Sequence, residues 1–265
     1  MNIVVTVKHV VDPNLPPSYV SLDASARRIV SPFGVQPVMN GYDANALEAA
    51  LKLRETHGGR VTAVCLGDDA SRGTLKHALS MGADAAVLLN DAAWLDLDSA
   101  GVGRVLAAAI RKIGGFDLVL CGRQASDTDG GQVLFWIAEV LGLAAVCPIS
   151  KIEAMESDCL IVHRLLEESS QRVRVRLPAL LGISSEINEP RAPSLKGTMI
   201  AGRTLVPAWK ASDLELPALQ AKVELRGLEI LIRTSRAKLI EGESAAAKGV
   251  ALANKEVVRE LTRAE

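Results

Sequence analysis

The sequence predicts an α/β fold: a doubly wound, mainly parallel sheet with helices on both faces, plus a small antiparallel hairpin and an extended C-terminal arm ending in a helix. Three observations carry this. Short, β-branched apolar runs alternate with helical patterns from residue 2 to residue 122. Hydrophobic residues make up 49% and charged residues 23% of the 265, enough for a real core and too apolar for disorder. After residue 147 the texture changes to alternation with period two, the mark of strands with one wet face.

The elements follow in order. NIVVTV (2–7) is a buried strand, and a polar, Pro- and Ser-rich excursion runs from there to about residue 39. Residues 41–58 place Ala46, Leu47, Ala50, Leu51 and Leu53 at helical spacing, and Gly58 and Gly59 close the helix. RVTAVCLG is a strand, ASRGTLKHALSMG a helix stopped by Gly82, and DAAVLLN a strand. Asp98 or Ser99 caps the helix of DSAGVGRVLAAAIRKIGG, and FDLVLCG is the next strand. A helix starts after Gly131. Val173, Val175 and Leu177 alternate with Arg172, Arg174 and Arg176 in a hairpin at about 148–177, and ALLGIS (179–184) is a buried strand able to rejoin the sheet. A loop with Pro190, Pro193, Gly197 and Gly202 follows. The tail beyond residue 225 ends in a helix that cannot bury itself well alone, which points to a partner chain.

Composition excludes several classes. The formal net charge of −1 lacks the electrostatic footprint of a nucleic-acid binder, and aromatics at 3% lack a base-stacking platform. No apolar run reaches the ~20 residues that cross a bilayer, and the β-branched start reads as a strand rather than a signal peptide. Cys65, Cys121, Cys147 and Cys159 show no CxxC pairing and read as reduced core residues of a cytoplasmic protein.

The candidate site is the loop after FDLVLCG. Cys121 and Gly122 end a strand, Arg123 and Gln124 follow, and Asp127, Thr128, Asp129, Gly130, Gly131, Gln132 and Val133 lead into a helix. In open α/β sheets a Gly-rich loop at this place receives phosphates, because glycines let the backbone approach and helix N–H groups supply donors. Gln132 is able to donate an amide N–H to a phosphate oxygen. Asp127 and Asp129 would repel phosphate, so they organise the loop or accept from sugar hydroxyls. The plain alternative is a strand-to-helix turn with capping aspartates. Hydrolase chemistry is not indicated, since neither GxxxxGK[ST] nor a Ser-His-Asp spacing is present. Asn40 and Asp43 flank the turn into the helix at 41–58, where capping explains Asp43.

Six segments, in order and at matching intervals, resemble the β subunit of electron-transfer flavoproteins: MNIVVTVKHVVD, NGYDANALEAALKLRE, LKHALSMGADAAVLL, CGRQASDTDGGQV, RLPALLGISSEINEPRAPSLKGTMIA and EGESAAAKGVALANK. The resemblance covers nearly the whole chain. It implies an αβ heterodimer that accepts electrons from flavoprotein dehydrogenases and passes them to an acceptor such as an electron-transfer flavoprotein:quinone oxidoreductase. FAD would be shared with the α subunit, and a second nucleotide, AMP or FAD, would sit in the β site. On this reading the chain is a carrier subunit, not an enzyme. Two alternatives stay open: an electron-bifurcating complex that oxidises NADH with a second FAD, and a nucleotide-binding subunit without a redox role.

The resemblance also assigns residues. Val7, Lys8 and His9 lie against adenine or ribose, with no acid–base role for His9; the turn of Asn40 and Asp43 lines the adenine; Cys65, Leu66 and Gly67 line the same pocket. Asp98 and Ser99 match a flavin-binding segment whose second hydroxyl is replaced by Val102. Arg123 stands where AMP-type members have Lys, and next to a flavin it would favour a negatively charged reduced ring. Leu134 and Phe135 replace a Gly and Pro of FAD-binding relatives, and Gly41 replaces a Pro. Leu195, followed by Met199, matches the leucine that anchors the partner dehydrogenase; the alternative is that Leu195 folds back on its own domain. The expected organisation is a nucleotide-binding domain at 1–187, a partner-recognition loop at 188–208, and an arm with its helix packing on the α subunit at 209–265.

Overall fold

The computed structural model describes residues 1–23, 28–230 and 239–253. Contacts divide the chain into two units, Met1–Leu228 and Glu229–Glu265. The first begins with β1 (Asn2–Val7). The polar excursion after it forms two small antiparallel ribbons: β2 (His9–Val10) pairs with β5 (Val38–Met39), and β3 (Ser21–Asp23) with β4 (Arg28–Val30). Next come α1 (Gly41–His57), β6 (Arg60–Leu66), α2 (Arg72–Met81), β7 (Ala85–Leu89), α3 (Ser99–Ile113), β8 (Leu118–Gly122) and α4 (Val133–Leu141). The second half holds β9 (Ala144–Glu156), β10 (Cys159–Leu165), β11 (Ser170–Arg176), β12 (Ala179–Ile183), α5 (Leu195–Arg203), β13 (Ala208–Trp209) and the short α6 (Ala211–Leu214). The second unit holds α7 (Ala245–Ala253). The rest of the expected terminal arm, 231–238 and 254–265, lies outside the described residues.

One nine-stranded sheet runs in the order β11-β10-β9-β12-β8-β1-β6-β7-β13. From β9 to β13 every neighbour is parallel. The expected antiparallel hairpin forms, and β9, long enough to pair with β12 at its start and with β10 further along, makes it a three-stranded antiparallel extension of this sheet.

The apolar alternation decides which side chain goes to which face. Ile3, Val5 and Val7 of β1 join Leu118 and Leu120 of β8 against α1 and α2, where Leu47, Leu51 and Leu75 are fully buried. Val4, Val119 and Val64 point to the other face, against Val105 and Ile110 of α3 and Ile137 of α4. Each such aliphatic side chain contributes about 1.5–3 kcal/mol on burial. Gly103 allows α3 and α4 to touch, since a Cβ there would lie 2.4 Å from Trp136 Cβ.

The wrapping fixes a functional position. From β1 the chain moves outward through β6 and β7 with α1 and α2 on one face, then α3 crosses the other face and delivers β8 to the far side of β1. The loops leaving β1 and β8 therefore part in opposite directions and open a crevice at the carboxyl edge, the place where α/β sheets bind ligands.

Residues 188–208, expected as a loop, contain the helix α5, which Ser194 caps by accepting from Gly197 N–H at 2.9 Å. Beyond it, Pro207 and Trp209 carbonyls accept from Leu88 and Asn90 N–H along the outer edge of β7, covering that edge. No helix among the described residues is long and apolar enough to cross a membrane.

Candidate nucleotide site

The crevice is built from two loops and one helix start. Asp43, in the first turn of α1, accepts from Lys8 N–H at 2.7 Å and from Gly122 N–H at 3.1 Å. It thereby ties the carboxyl ends of β1 and β8 together. Asn40 reaches the next stretch of loop, donating from Nδ2 to Gln124 O at 2.9 Å and accepting at Oδ1 from Ser126 N–H at 3.1 Å. The capping expected of Asp43 is thus corrected: its carboxylate accepts from Lys8 and Gly122 N–H on neighbouring loops, and Asn40, at the N-cap position of α1, makes no side-chain cap either. Both side chains face sideways to orphan backbone groups of neighbouring loops, a stronger demand on buried polar atoms than a helix end open to solvent.

Burial pushes the Asp43 carboxyl up to about 7, against the N–H donations from Lys8 and Gly122 that favour its charged form. Gly122 is needed for the same contact, since a Cβ there would lie 2.3 Å from Asp43 Oδ1 and 2.8 Å from Tyr42 Cβ.

Both loop aspartates are held internally, which selects loop organisation from the two roles read in the sequence. Asp127 Oδ1 pairs with Lys8 Nζ at 2.7 Å, bridging the crevice from the β8 loop to the β1 loop. Asp129, at φ +47°, accepts from Gln124 Nε2 at 2.8 Å. Gly131 at φ +59° turns the chain into α4, whose start has no side-chain cap. Thr128, Gly130 and Gln132 are exposed at this rim, with Val133 half-buried beside them.

Arg123 turns inward: its guanidinium lies 5.1 Å from the Tyr42 ring centre, and its Nε is buried without a hydrogen-bond partner. Ser126 Oγ, three residues on, is also buried and unpartnered. Unpaired buried polar atoms cost about 1–3 kcal/mol each, so two in one four-residue stretch beside an uncapped helix start fit a site completed by a polar ligand. The donor set and the glycine-lined approach suit a nucleotide phosphate or sugar. Tyr42 and Ser126 are the site members that sequence reasoning missed; neither has a spacing that separates it from an ordinary helix or loop residue.

The remaining candidates divide. Val7, Cys65 and Cys121 reach the crevice only through backbone, their side chains being in the core. Leu66 and Gly67 are half-buried at the same edge, with Gly67 N–H donating to Leu89 O. His9 Nδ1 lies 2.8 Å from Thr74 Oγ1, directed at α2, and burial holds its pKa below the ordinary value. Asp98 and Ser99 begin α3 at the carboxyl edge. Asp98 caps α3 through Gly101 N–H at 2.8 Å and also accepts from Lys222 and Val223 N–H, donations that hold its carboxyl below the usual range. Leu134 is buried in the core of the α4 face, and Phe135 is about half exposed beside the loop.

The four cysteines are free thiols, Cys65, Cys121 and Cys159 buried and Cys147 half-buried, and the described residues hold no cluster able to bind a metal ion. Burial pushes Cys65 and Cys121 up to about 12. Leu195 and Met199 lie elsewhere, on the outer face of α5; Leu195 is 81% exposed, which corrects the alternative of a leucine folded back on the domain. A groove of about 300 Å³ runs along that face between Leu195, Lys196, Met199, Ile200 and Arg203. A cavity of about 360 Å³ opens at the opposite, amino-terminal edge of the sheet, lined by Met1, Phe116, Met155 and Leu177 among others. It shares no residue with the crevice, and of the three buried side-chain atoms without a partner among the described residues, two, Arg123 Nε and Ser126 Oγ, lie in the crevice and one, Ser31 Oγ, lies elsewhere.

Comparison with known proteins agrees with this architecture. The family model described as electron transfer flavoprotein domain matches residues 29–214. An electron transfer flavoprotein subunit beta of Thermoanaerobacterium thermosaccharolyticum is 40% identical over 217 residues, 82% of this chain and 81% of the relative. Its counterpart in Clostridium acetobutylicum is 35% identical over 243 residues, 92% of this chain and 90% of the relative. The caffeyl-CoA reductase-Etf complex subunit CarD of Acetobacterium woodii is 37% identical over 217 residues, 82% and 80% of the two chains.

Proposed function

The chain belongs to the electron transfer flavoprotein family and matches its β subunits, and from that premise we propose that it binds an adenine nucleotide in the crevice between the β1 and β8 loops and serves as one half of a heterodimeric electron carrier. The observation that carries the nucleotide assignment is the pair of buried, unpartnered atoms Arg123 Nε and Ser126 Oγ beside the uncapped start of α4. An α subunit completes the heterodimer, with the arm beyond the first unit packing on it.

The residues present fit a nucleotide. Arg123 and Ser126 donate to it, the N–H groups at the start of α4 meet phosphate, and Gly130 and Gly131 keep the approach free of side chains. Lys8 and Asp127 hold the two loops at a set separation, while Asn40 and Asp43 fix the loop that carries Arg123. FAD shared with the α subunit would supply the redox chemistry when bound, and this chain would bring the donor close to it. Leu195 and Met199 dock a flavoprotein dehydrogenase, with Lys196 and Arg203 flanking the apolar groove so that a partner with an acidic rim is favoured. The acceptor is an electron-transfer flavoprotein:quinone oxidoreductase or a similar enzyme.

A second reading, FAD in the β site and NADH oxidation by a bifurcating complex, is favoured by Arg123. As a permanently charged group beside the loop it would stabilise a reduced, anionic ring. The test is to purify the chain with its α subunit, denature the complex and quantify released nucleotides by chromatography. One FAD and one AMP per heterodimer supports the simple carrier; two FAD supports the second reading. A single FAD alone overturns the crevice assignment and leaves a structural subunit with a docking face.

A further inference from the structure

We propose that Arg191 is a positioning residue for partner recognition, clamping the segment that leads into α5 onto α1 so that Leu195 is presented in a fixed place. The proposal rests on the docking reading of Leu195. Arg191 sits between two carboxylates of α1. Its Nε and Nη2 grip Glu48 at 2.7 and 3.1 Å, and its Nη1 and Nη2 grip Glu55 at 2.5 and 3.2 Å. Its own backbone N–H adds a bond to Glu48 Oε2 at 3.2 Å, so main chain and side chain are held by the same carboxylate. A guanidinium fork fixes direction as well as distance, which a single point charge does not.

The carboxylate it grips is itself fixed. Glu48's side chain is 4% exposed, and its other cation, Lys52, is 3.7 Å away and more than half exposed. A buried carboxylate with one close, two-thirds-buried counter-charge has a strong preference for keeping it. Three residues before the clamp, Asn188 and Asn45 exchange side-chain-to-carbonyl bonds at 2.7 and 3.1 Å. Asn45, Glu48, Lys52 and Glu55 share one face of α1 by their spacing, and the docking segment lies along it.

Only Ala192, Pro193 and Ser194 separate the clamp from Leu195, and Pro193 and the Ser194 cap leave that connection little freedom. The far side of α5 is also held. A Cβ on Gly197 would lie 2.3 Å from Ser80 O, Lys76 Nζ donates to Gly202 O at 3.2 Å, and Arg72 Nη1 donates to Val206 O at 2.6 Å. With these restraints in place Leu195, Met199 and Ile200 project outward, 81%, 55% and 55% exposed. An anchor held in its bound orientation loses little freedom on docking, and the clamp supplies that hold.

The test uses the heterodimer and a flavoprotein dehydrogenase selected because it reduces the wild-type heterodimer. Arg191→Ala is expected to raise the dehydrogenase's KM for the heterodimer about tenfold with kcat unchanged. Arg191→Lys is intermediate, and Glu55→Gln, which removes only the exposed half of the clamp, gives about a threefold rise. Hydrogen exchange over residues 195–203 speeds up in the same order, while bound nucleotide stays at the wild-type amount. Because Arg191→Ala strands Glu48, the pair Arg191→Met with Glu48→Gln removes the clamp without a buried charge and is expected to reproduce the KM rise in a folded protein. Leu195→Ala raising KM while the clamp variants leave KM and exchange unchanged overturns the positioning role and keeps the docking reading. Leu195→Ala leaving KM unchanged overturns the docking reading itself.

Discussion

Replacing Gly122 by alanine puts the architecture of the crevice to a steric test. Its φ lies outside the left-handed region, so the added methyl brings no backbone penalty and its effect is one of space. The new Cβ would lie 2.3 Å from Asp43 Oδ1, 2.8 Å from Tyr42 Cβ and 2.9 Å from Tyr42 C, where ordinary contacts begin near 3.4 Å. Roughly an ångström must be found, and Tyr42 offers only backbone and Cβ, which cannot swing away. Overpacking of this kind costs about 1–3 kcal/mol. Displacing Asp43 also breaks its bond with Gly122 N–H, a charge-assisted contribution of about 1.5–3 kcal/mol. Together these give a loss of about 2.5–6 kcal/mol, or a fall in Tm on the order of 10 °C for a unit this size. Thermal denaturation of the heterodimer reads it, with Gly73→Ala on α2 as control, because nothing lies within 4 Å of a Cβ at that position and it is outside the crevice. A Gly122→Ala protein melting within about 2 °C of wild type, or a Gly73→Ala protein equally damaged, would refute the steric reasoning.

Other perturbations address single contacts. Asn40→Ala strands Gln124 O and Ser126 N–H while leaving α1 without a cap to lose, so bound nucleotide should fall sharply with the helical signal intact; chromatography and circular dichroism check both. For Asp43, a folded pKa of about 7 above the ordinary 3.8 means the unfolded chain loses its proton first as pH rises. Wild-type stability relative to Asp43→Asn should therefore decline between about pH 4 and 7, by on the order of 4 kcal/mol, as read by denaturant titration across that range. Asp98→Ala removes the α3 cap and the acceptor for Lys222 and Val223 N–H, and should expose the 222–223 backbone to faster hydrogen exchange at a cost of about 1–3 kcal/mol. Cys65 and Cys121, pushed up to about 12, should resist alkylation at pH 8 until denaturant is added.

Much of the sheet was legible because each parallel strand is a short apolar run between turn signals, and local periodicity suffices to find it. The switch point was not, because strand order depends on which face α3 crosses and no local pattern encodes that. The loop at 122–132 stood out by composition and position. The inward turn of Arg123, the linkage of Lys8 to Asp127 and the sideways use of Asn40 all join residues far apart in the chain, as do Arg191 and Glu48, 143 positions apart. The helix at 195–203 was read as a loop because two prolines precede it and two glycines lie within it. One of those glycines is there for close packing on α2, a tertiary reason that looks like a turn signal in one dimension.

Helix α1 touches both proposed sites. Its N-cap and first turn hold the crevice loops through Asn40 and Asp43, and Glu48 and Glu55 hold the approach to α5. In a helix, spacing and heading are one quantity: each added residue advances the far end by about 1.5 Å and turns it by about 100°. Substitutions at exposed positions of α1 leave that calibration alone. A single insertion between Asp43 and Glu48 would swing the carboxylates a quarter-turn away from Arg191 while altering none of the residues proposed to bind or dock. The length of this segment is thus a gauge, set against two fittings at once, and is harder to change than its composition.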